Sequence, residues 1–302
     1  RPPHDILAGG HVDHIIRKAI SLGLDPVSAI RMGTLHPARY FGLQEMGAVA
    51  PGRRADLVVF SDLDAPRAEA VYVGGRLAAE NGKMRPEMLR PPSGGLPPSM
   101  HLVPDTVDFS VPAGGRRIRV IDVVPDQVVT GQIILDAAVV DGRAVADPAR
   151  DLLKIAVVER YTGKGRTGLG FVRGFGLQHG ALASSVAHDS HNIIVVGADD
   201  TAMKTALEAV VRMGGGLCVV RERAVQAALP LPIAGLMSPE PMAAIRDRLD
   251  NLTAAAAAMG GALRDPFMTL SFLALPVIPE LKLTDHGLVD VSRFAVVPLF
   301  AE

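Results

Sequence analysis

Ser184-Ser185-Val186-Ala187-His188-Asp189-Ser190-His191-Asn192 runs directly into Ile193-Ile194-Val195-Val196-Gly197. Four β-branched residues closed by a glycine read as a short buried strand, too short for a helix of the same composition. Asp199 then caps an expected helix over 200–213, Leu217–Arg221 is a second apolar strand, and 239–259 is a second helix. Strands alternating with helices in this way specify an α/β or α+β domain. The polar run ahead of the strand holds two imidazoles, a carboxylate, three hydroxyls and an amide, and each must find a partner or face water. Two readings stay open for it: a hydrogen-bonded corner, or contact with a substrate or active site. It is not a metal site by itself, because no third and fourth ligand follows at a recognisable spacing.

Upstream the period is helical. Val12, Ile15, Ile16, Ala19, Ile20 and Leu22 recur on one face and end at Gly23, and Asp25-Pro26 opens a second helix that runs toward His36-Pro37, with a further turn over 38–41. From Gly47 the pattern changes. Residues 47–56 form a turn, Leu57–Phe60 reads as a short buried strand, and Ala70–Val73, Gly74-Gly75 and Arg76–Ala79 form a hairpin. The stretch 84–102, with Pro91-Pro92 and Pro97-Pro98, is a connector. Beyond it, 117–124, 128–130, 132–134 and 152–159 read as strands.

Composition narrows the function. At 302 residues two or three compact units are expected, and 31 basic against 32 acidic side chains give no electrostatic case for nucleic acid or an anionic membrane surface. The single cysteine, Cys218, lies in an apolar strand, so no disulfide framework is expected and a cytoplasmic location follows. No apolar run is long enough to span a bilayer.

Other polar clusters have plain readings. Gly163–Gly170 lacks the Lys-Ser/Thr ending of a phosphate loop and reads as a hairpin turn, Asp285-His286-Gly287 as a turn, and His11 and His14 as a solvated helix start.

Two groups of residues resemble a known family. Gly10-His11-Val12-Asp13-His14, Asp25-Pro26 and Gly47–Val59 look like the tail of an amidohydrolase-superfamily chain; Gly170–Leu177, His188–Asn192 and Thr269–Pro279 look like the C-terminal part of the adenine deaminase family. The resemblance implies a mixed α/β and β fold in three parts. Residues 1–46 would end a TIM-like barrel, 47–135 would be a β-sandwich portion with the proline-rich connector, and 136–302 a C-terminal α/β (α+β) domain. It further implies hydrolysis of adenine to hypoxanthine and ammonia by hydroxide held between two divalent ions, manganese or iron. The ligands of those ions belong to barrel strands that this chain does not carry, so none is assigned here, and the chain is expected to be a piece of a longer polypeptide, inactive alone. Its partners would be adenine, the upstream half and a second copy in a homodimer. In that setting His188, Asp189 and His191 are the catalytic candidates, as proton-relaying or hydrogen-bonding groups, with Ser190 and Asn192 as substrate-binding candidates. Other outcomes are a fragment of another amidohydrolase, such as a deacetylase or cyclic amidase, and a non-catalytic binding or oligomerisation module. A single-zinc deaminase with a Cys-x-x-Cys pair is excluded by the lone cysteine.

Overall fold

The computed structural model describes residues 3–88 and 97–301, in two compact units that divide within the intervening segment. Part of the expected connector, 89–96, thus lies outside the described residues. In the first unit, helices α1 (Pro3–Gly9), α2 (Val12–Ser21), α3 (Pro26–Gly33) and α4 (Leu35–Tyr40) precede a four-stranded antiparallel sheet, β1 (Leu57–Val59), β2 (Ala70–Val73), β3 (Arg76–Glu80) and β4 (Lys83–Met84), in that order. Asp25 caps α3 as expected, accepting the Ser28 amide at 2.8 Å. The break that the sequence placed at His36-Pro37 falls instead at Thr34. Pro37 sits in the first turn of α4, where a missing N–H removes no helical bond.

This unit encloses little apolar volume. Among its described residues the buried apolar side chains are small, Ala29, Ala38, Pro66 and Ala78, whereas Leu22 is 76% and Phe41 71% exposed. Val58 and Val59, expected to be buried, are exposed because β1 is the edge strand. A groove of about 640 Å³ lies open between β1 and helices α3 and α4.

The second unit is built differently. Its strands are β5 (Val111–Pro112), β6 (Arg117–Val123), β7 (Thr130–Asp136), β8 (Ala138–Val140), β9 (Arg143–Val145), β10 (Leu153–Val158), β11 (Thr167–Arg173), β12 (Ala181–Ser184) and β13 (Ile193–Gly197). Helix α5 (Asp200–Arg212) follows, then β14 (Gly216–Arg221), β15 (Ala224–Pro230), α6 (Met242–Ala258), α7 (Pro266–Phe272), β16 (Leu281–Thr284), β17 (Gly287–Asp290), β18 (Ala295–Val297) and β19 (Phe300–Ala301). Nine strands form one sheet in the order β15-β14-β12-β13-β10-β11-β6-β19, with β7 also on β6. Among the described strands only β6 and β11 pair in parallel. β6 and β7 come from the stretch read as sandwich, and they pair here because Arg117–Val123 and Thr130–Asp136 match residue for residue across seven positions.

The centre of the sheet is apolar on both faces. Ile155, Val157, Ile194 and Val196 pack with Leu252, Ala256, Phe267, Leu270 and β16. The alternate residues Ala156, Val158, Ile193 and Val195 pack under Met203, Ala206, Leu207 and Val210 of α5. The continuous apolar runs in the sequence are therefore the product of two covering layers. Asp199 caps α5 through the Ala202 amide at 2.8 Å.

One glycine sets a contact that the functional site depends on. A Cβ on Gly168 of β11 would lie 1.9 Å from the Thr284 carbonyl oxygen, so only glycine lets the β16–β17 turn rest on β11. Gly168→Ala is expected to destabilise the second unit by about 2 kcal/mol through overpacking. A Tm loss of about 4–8 °C in a thermal melt checks this.

Candidate functional site

Strands β12 and β13 pair antiparallel from Ala181↔Gly197 to Ser184↔Ile194, so the polar run 185–192 is the loop that joins them at one end of the sheet. Its two leading hydroxyls are occupied within the fold. Ser184 Oγ donates to Val186 O (3.1 Å) and accepts the Val186 amide (2.9 Å). Ser185 Oγ donates to Gly235 O (2.6 Å) and accepts the Gly216 amide (2.8 Å). They shape the loop and are unavailable to a ligand.

The other end of the loop is tied down by Arg160, 1% exposed, at the end of β10. Its Nε donates to His191 O (2.5 Å), its Nη1 to Ser99 O and Oγ (2.9 and 2.8 Å), and its Nη2 to Ala234 O (2.9 Å). These partners are carbonyl and hydroxyl oxygens, and burial pulls the guanidinium pKa down. Tyr161, under the same guanidinium at 4.6 Å, donates its hydroxyl to Ser190 O (2.9 Å). The neighbouring Glu159 carboxylate is pushed up by burial but held lower overall by the Thr162 hydroxyl (2.6 Å) and the amides of Thr162 and Tyr161 (2.9 and 2.5 Å). Gly163–Gly170 is the turn between β10 and β11 and the start of β11, as the sequence indicated.

The candidate side chains divide into two sets. Asp189 and Ser190 are exposed at the tip of the loop; His188 and His191 are half-buried. The two imidazoles stand edge to face with centroids 5.8 Å apart, and His188 leans on the Phe272 ring at 4.8 Å. The His188 amide donates to Ser271 O at the end of α7 (3.1 Å). His191 has φ +51°, a left-handed conformation, and its amide closes a turn on Ala187 O (2.6 Å). Burial, then the charges of His188 and Arg160, lower the His191 pKa, so at neutral pH the ring is a neutral base.

Asn192 is 4% exposed and donates Nδ2 to Asp285 Oδ1 (3.2 Å), while its Oδ1 and the His191 Nδ1 are buried without a hydrogen-bond partner among the described residues. Asp285 is in turn held by Arg166, with Nε to Oδ2 at 2.6 Å. The sequence reading took Asp285-His286-Gly287 as a turn, and it is one, between β16 and β17. What that reading missed is the reach of Asp285 to a loop 93 residues away. Its only trace in the sequence was a carboxylate at the end of an apolar strand. Among the described residues no group of three or more His, Cys, Asp or Glu side chains could hold a metal ion. The arrangement offers hydrogen bonding and proton transfer on neutral imidazole.

Comparison with known proteins matches residues 127–295 to the family described as adenine deaminase C-terminal domain, and residues 6–78 to the amidohydrolase family. An adenine deaminase of Desulfatibacillum aliphaticivorans is 52% identical over 300 residues, 99% of this chain and 53% of the relative. One of Methanothrix thermoacetophila is 48% identical over 305 residues, 99% of this chain and 52% of the relative, and one of Oleidesulfovibrio alaskensis is 47% identical over 298 residues. The chain spans about half the length of the curated relatives it matches.

The depressed His191 pKa makes stability depend on pH in a defined direction. Unfolded, an imidazole binds its proton at a pKa of about 6.5; folded, His191 binds it at a lower pH. Stability from this residue is therefore complete above about pH 6.5 and is lost as pH falls below that value. His191→Asn keeps a residue that tolerates positive φ and removes the titration. The fall in Tm between pH 7.5 and pH 5 is expected to be smaller in the variant than in the parent.

Proposed function

We infer, because this chain belongs to the adenine deaminase C-terminal domain family, that it is part of an enzyme that hydrolyses adenine to hypoxanthine and ammonia. One observation carries the reading. Relatives named adenine deaminase align along 97–99% of this chain, yet the chain makes up only 51–54% of their length. The first unit supports it physically, since its amphipathic helices leave apolar faces in water that a larger body would cover. In this reading residues 3–46 finish the amidohydrolase barrel, and β1–β4 belong to the small sandwich.

Amidohydrolases use divalent metal ions, which supply an activated hydroxide at neutral pH. The residues described here do not gather a ligand set for such ions, so no step of the chemistry is assigned to a metal on this chain. Manganese or iron held by the remainder of the polypeptide is part of the proposal.

The role of this chain is then at the mouth of the purine site. His191, neutral and accepting, and His188 beside it can take and return a proton; Asp189 and Ser190, at the exposed loop tip, can bind purine nitrogens. Asn192, buried beneath the loop with its Nδ2 on Asp285, supports these groups from below. The Arg160 anchor fixes the backbone of this loop, which is what places such groups within a fraction of an ångström. No helix among the described residues is long and apolar enough to cross a membrane, and a cytoplasmic enzyme that pairs with a second copy fits the proposal.

Steady-state kinetics on the complete polypeptide test this. The parent is expected to release ammonia from adenine, and His188→Ala and His191→Ala are expected to lower kcat/KM by about 10²-fold each, the scale of a lost proton-transfer group. Unchanged turnover and unchanged adenine affinity in both variants would leave the run a structural corner.

A further inference from the structure

Helix α7 packs Phe267 and Leu270 into the core of the sheet and has two further neighbours, of which the site accounts for one. Its C-terminal end meets the candidate loop, through Ser271 O to the His188 amide and Phe272 to the His188 ring. Its other side walls a surface hollow of about 280 Å³ formed with the turn at 125–128 and the segment 262–265. The floor of that hollow is apolar, with Val128, Leu263, Met268 and Phe272. Val128 is 41% and Met268 45% exposed, and Val124, tied to the same turn by the Gln127 amide at 3.2 Å, is exposed as well. Around this floor stand Asp126, Gln127 and Arg264, whose side chains hold no ion pair or hydrogen bond within the described residues. An apolar floor ringed by uncommitted polar groups has the layout of an interface patch, an apolar centre within a polar rim.

We propose that this hollow is the seat on which the remainder of the polypeptide docks, so that Phe272 transmits the docked position to His188. The proposal rests on the reading of the chain as part of a longer adenine deaminase. The occupant follows from two facts. The matched relatives contain about as much chain again as is present here, and the hollow shares Phe272 with the loop that would have to face their remaining half. A segment with an apolar side chain for the floor and polar groups for Asp126, Gln127 and Arg264 is the chemistry that fits.

Hydrogen exchange on the complete polypeptide tests the docking independently of activity. The amides of 126–128 and 262–265 are expected to exchange at least tenfold more slowly in the parent than in Met268→Glu and Val128→Glu. Both substitutions are at exposed positions, so the core amides of β10 and β13 should exchange alike in parent and variants. The KM for adenine is expected to rise in the same variants. Equal exchange at 126–128 and 262–265 in parent and variants would overturn the proposal. So would protection that vanishes on dilution together with a dimer seen by sedimentation, since a second copy would then be the occupant. Failure of the functional reading shows separately, as absence of adenine turnover in the parent.

Discussion

A single buried guanidinium organises the end of the large sheet where the candidate residues stand. Arg160 draws the carbonyl of His191, the backbone and hydroxyl of Ser99 and the carbonyl of Ala234 onto one group. A cation in that position is stable only while its donors all have acceptors. Two separate segments, at Ser99 and Ala234, are thereby held to the loop that follows β12. Because removing the guanidinium would take a donor from several partly buried oxygens at once, the loop has one arrangement that the surrounding structure supports.

Much of the second unit was legible in local pattern. The apolar runs at 193–197 and 217–221, the Asp199 cap and the glycine-rich turn after β10 follow from rules that act over a few residues, and the structure keeps them. The failures share a cause, which is that their outcome depends on distant chain. Leu57–Val59 has the composition of a buried strand but lies at a sheet edge. The parallel pairing of β6 with β11 joins segments that no local signal groups together. Of the site, the run 184–192 stood out by chemistry alone, yet the sequence could not show that Ser184 and Ser185 serve the backbone while His188 and His191 face each other. Asp285 was invisible as a site residue because its meaning lies in Asn192 and Arg166, each supplied by a different loop.

The two units are stabilised by different means. The second has apolar layers on both faces of its sheet, and the strands at its centre are fully buried. The first buries little beyond three alanines and a proline and shows larger apolar side chains to solvent. Helices of six to ten residues gain little stability from propensity and depend on what packs against their apolar face. A chain can therefore combine a self-sufficient domain with a segment whose stability has to come from elsewhere.

The short strand β19 joins the sheet by pairing Phe300 and Ala301 with Ile118 and Arg117 of β6, while the Arg119 guanidinium donates to the carbonyls of Pro298 and Phe300. Those partners are separated by about 180 positions along the chain. During synthesis β6 leaves the ribosome long before them and must wait with part of its hydrogen-bonding edge uncovered. Assembly of this sheet cannot proceed vectorially from its first strand, because one of the partners of that strand lies about 180 residues downstream.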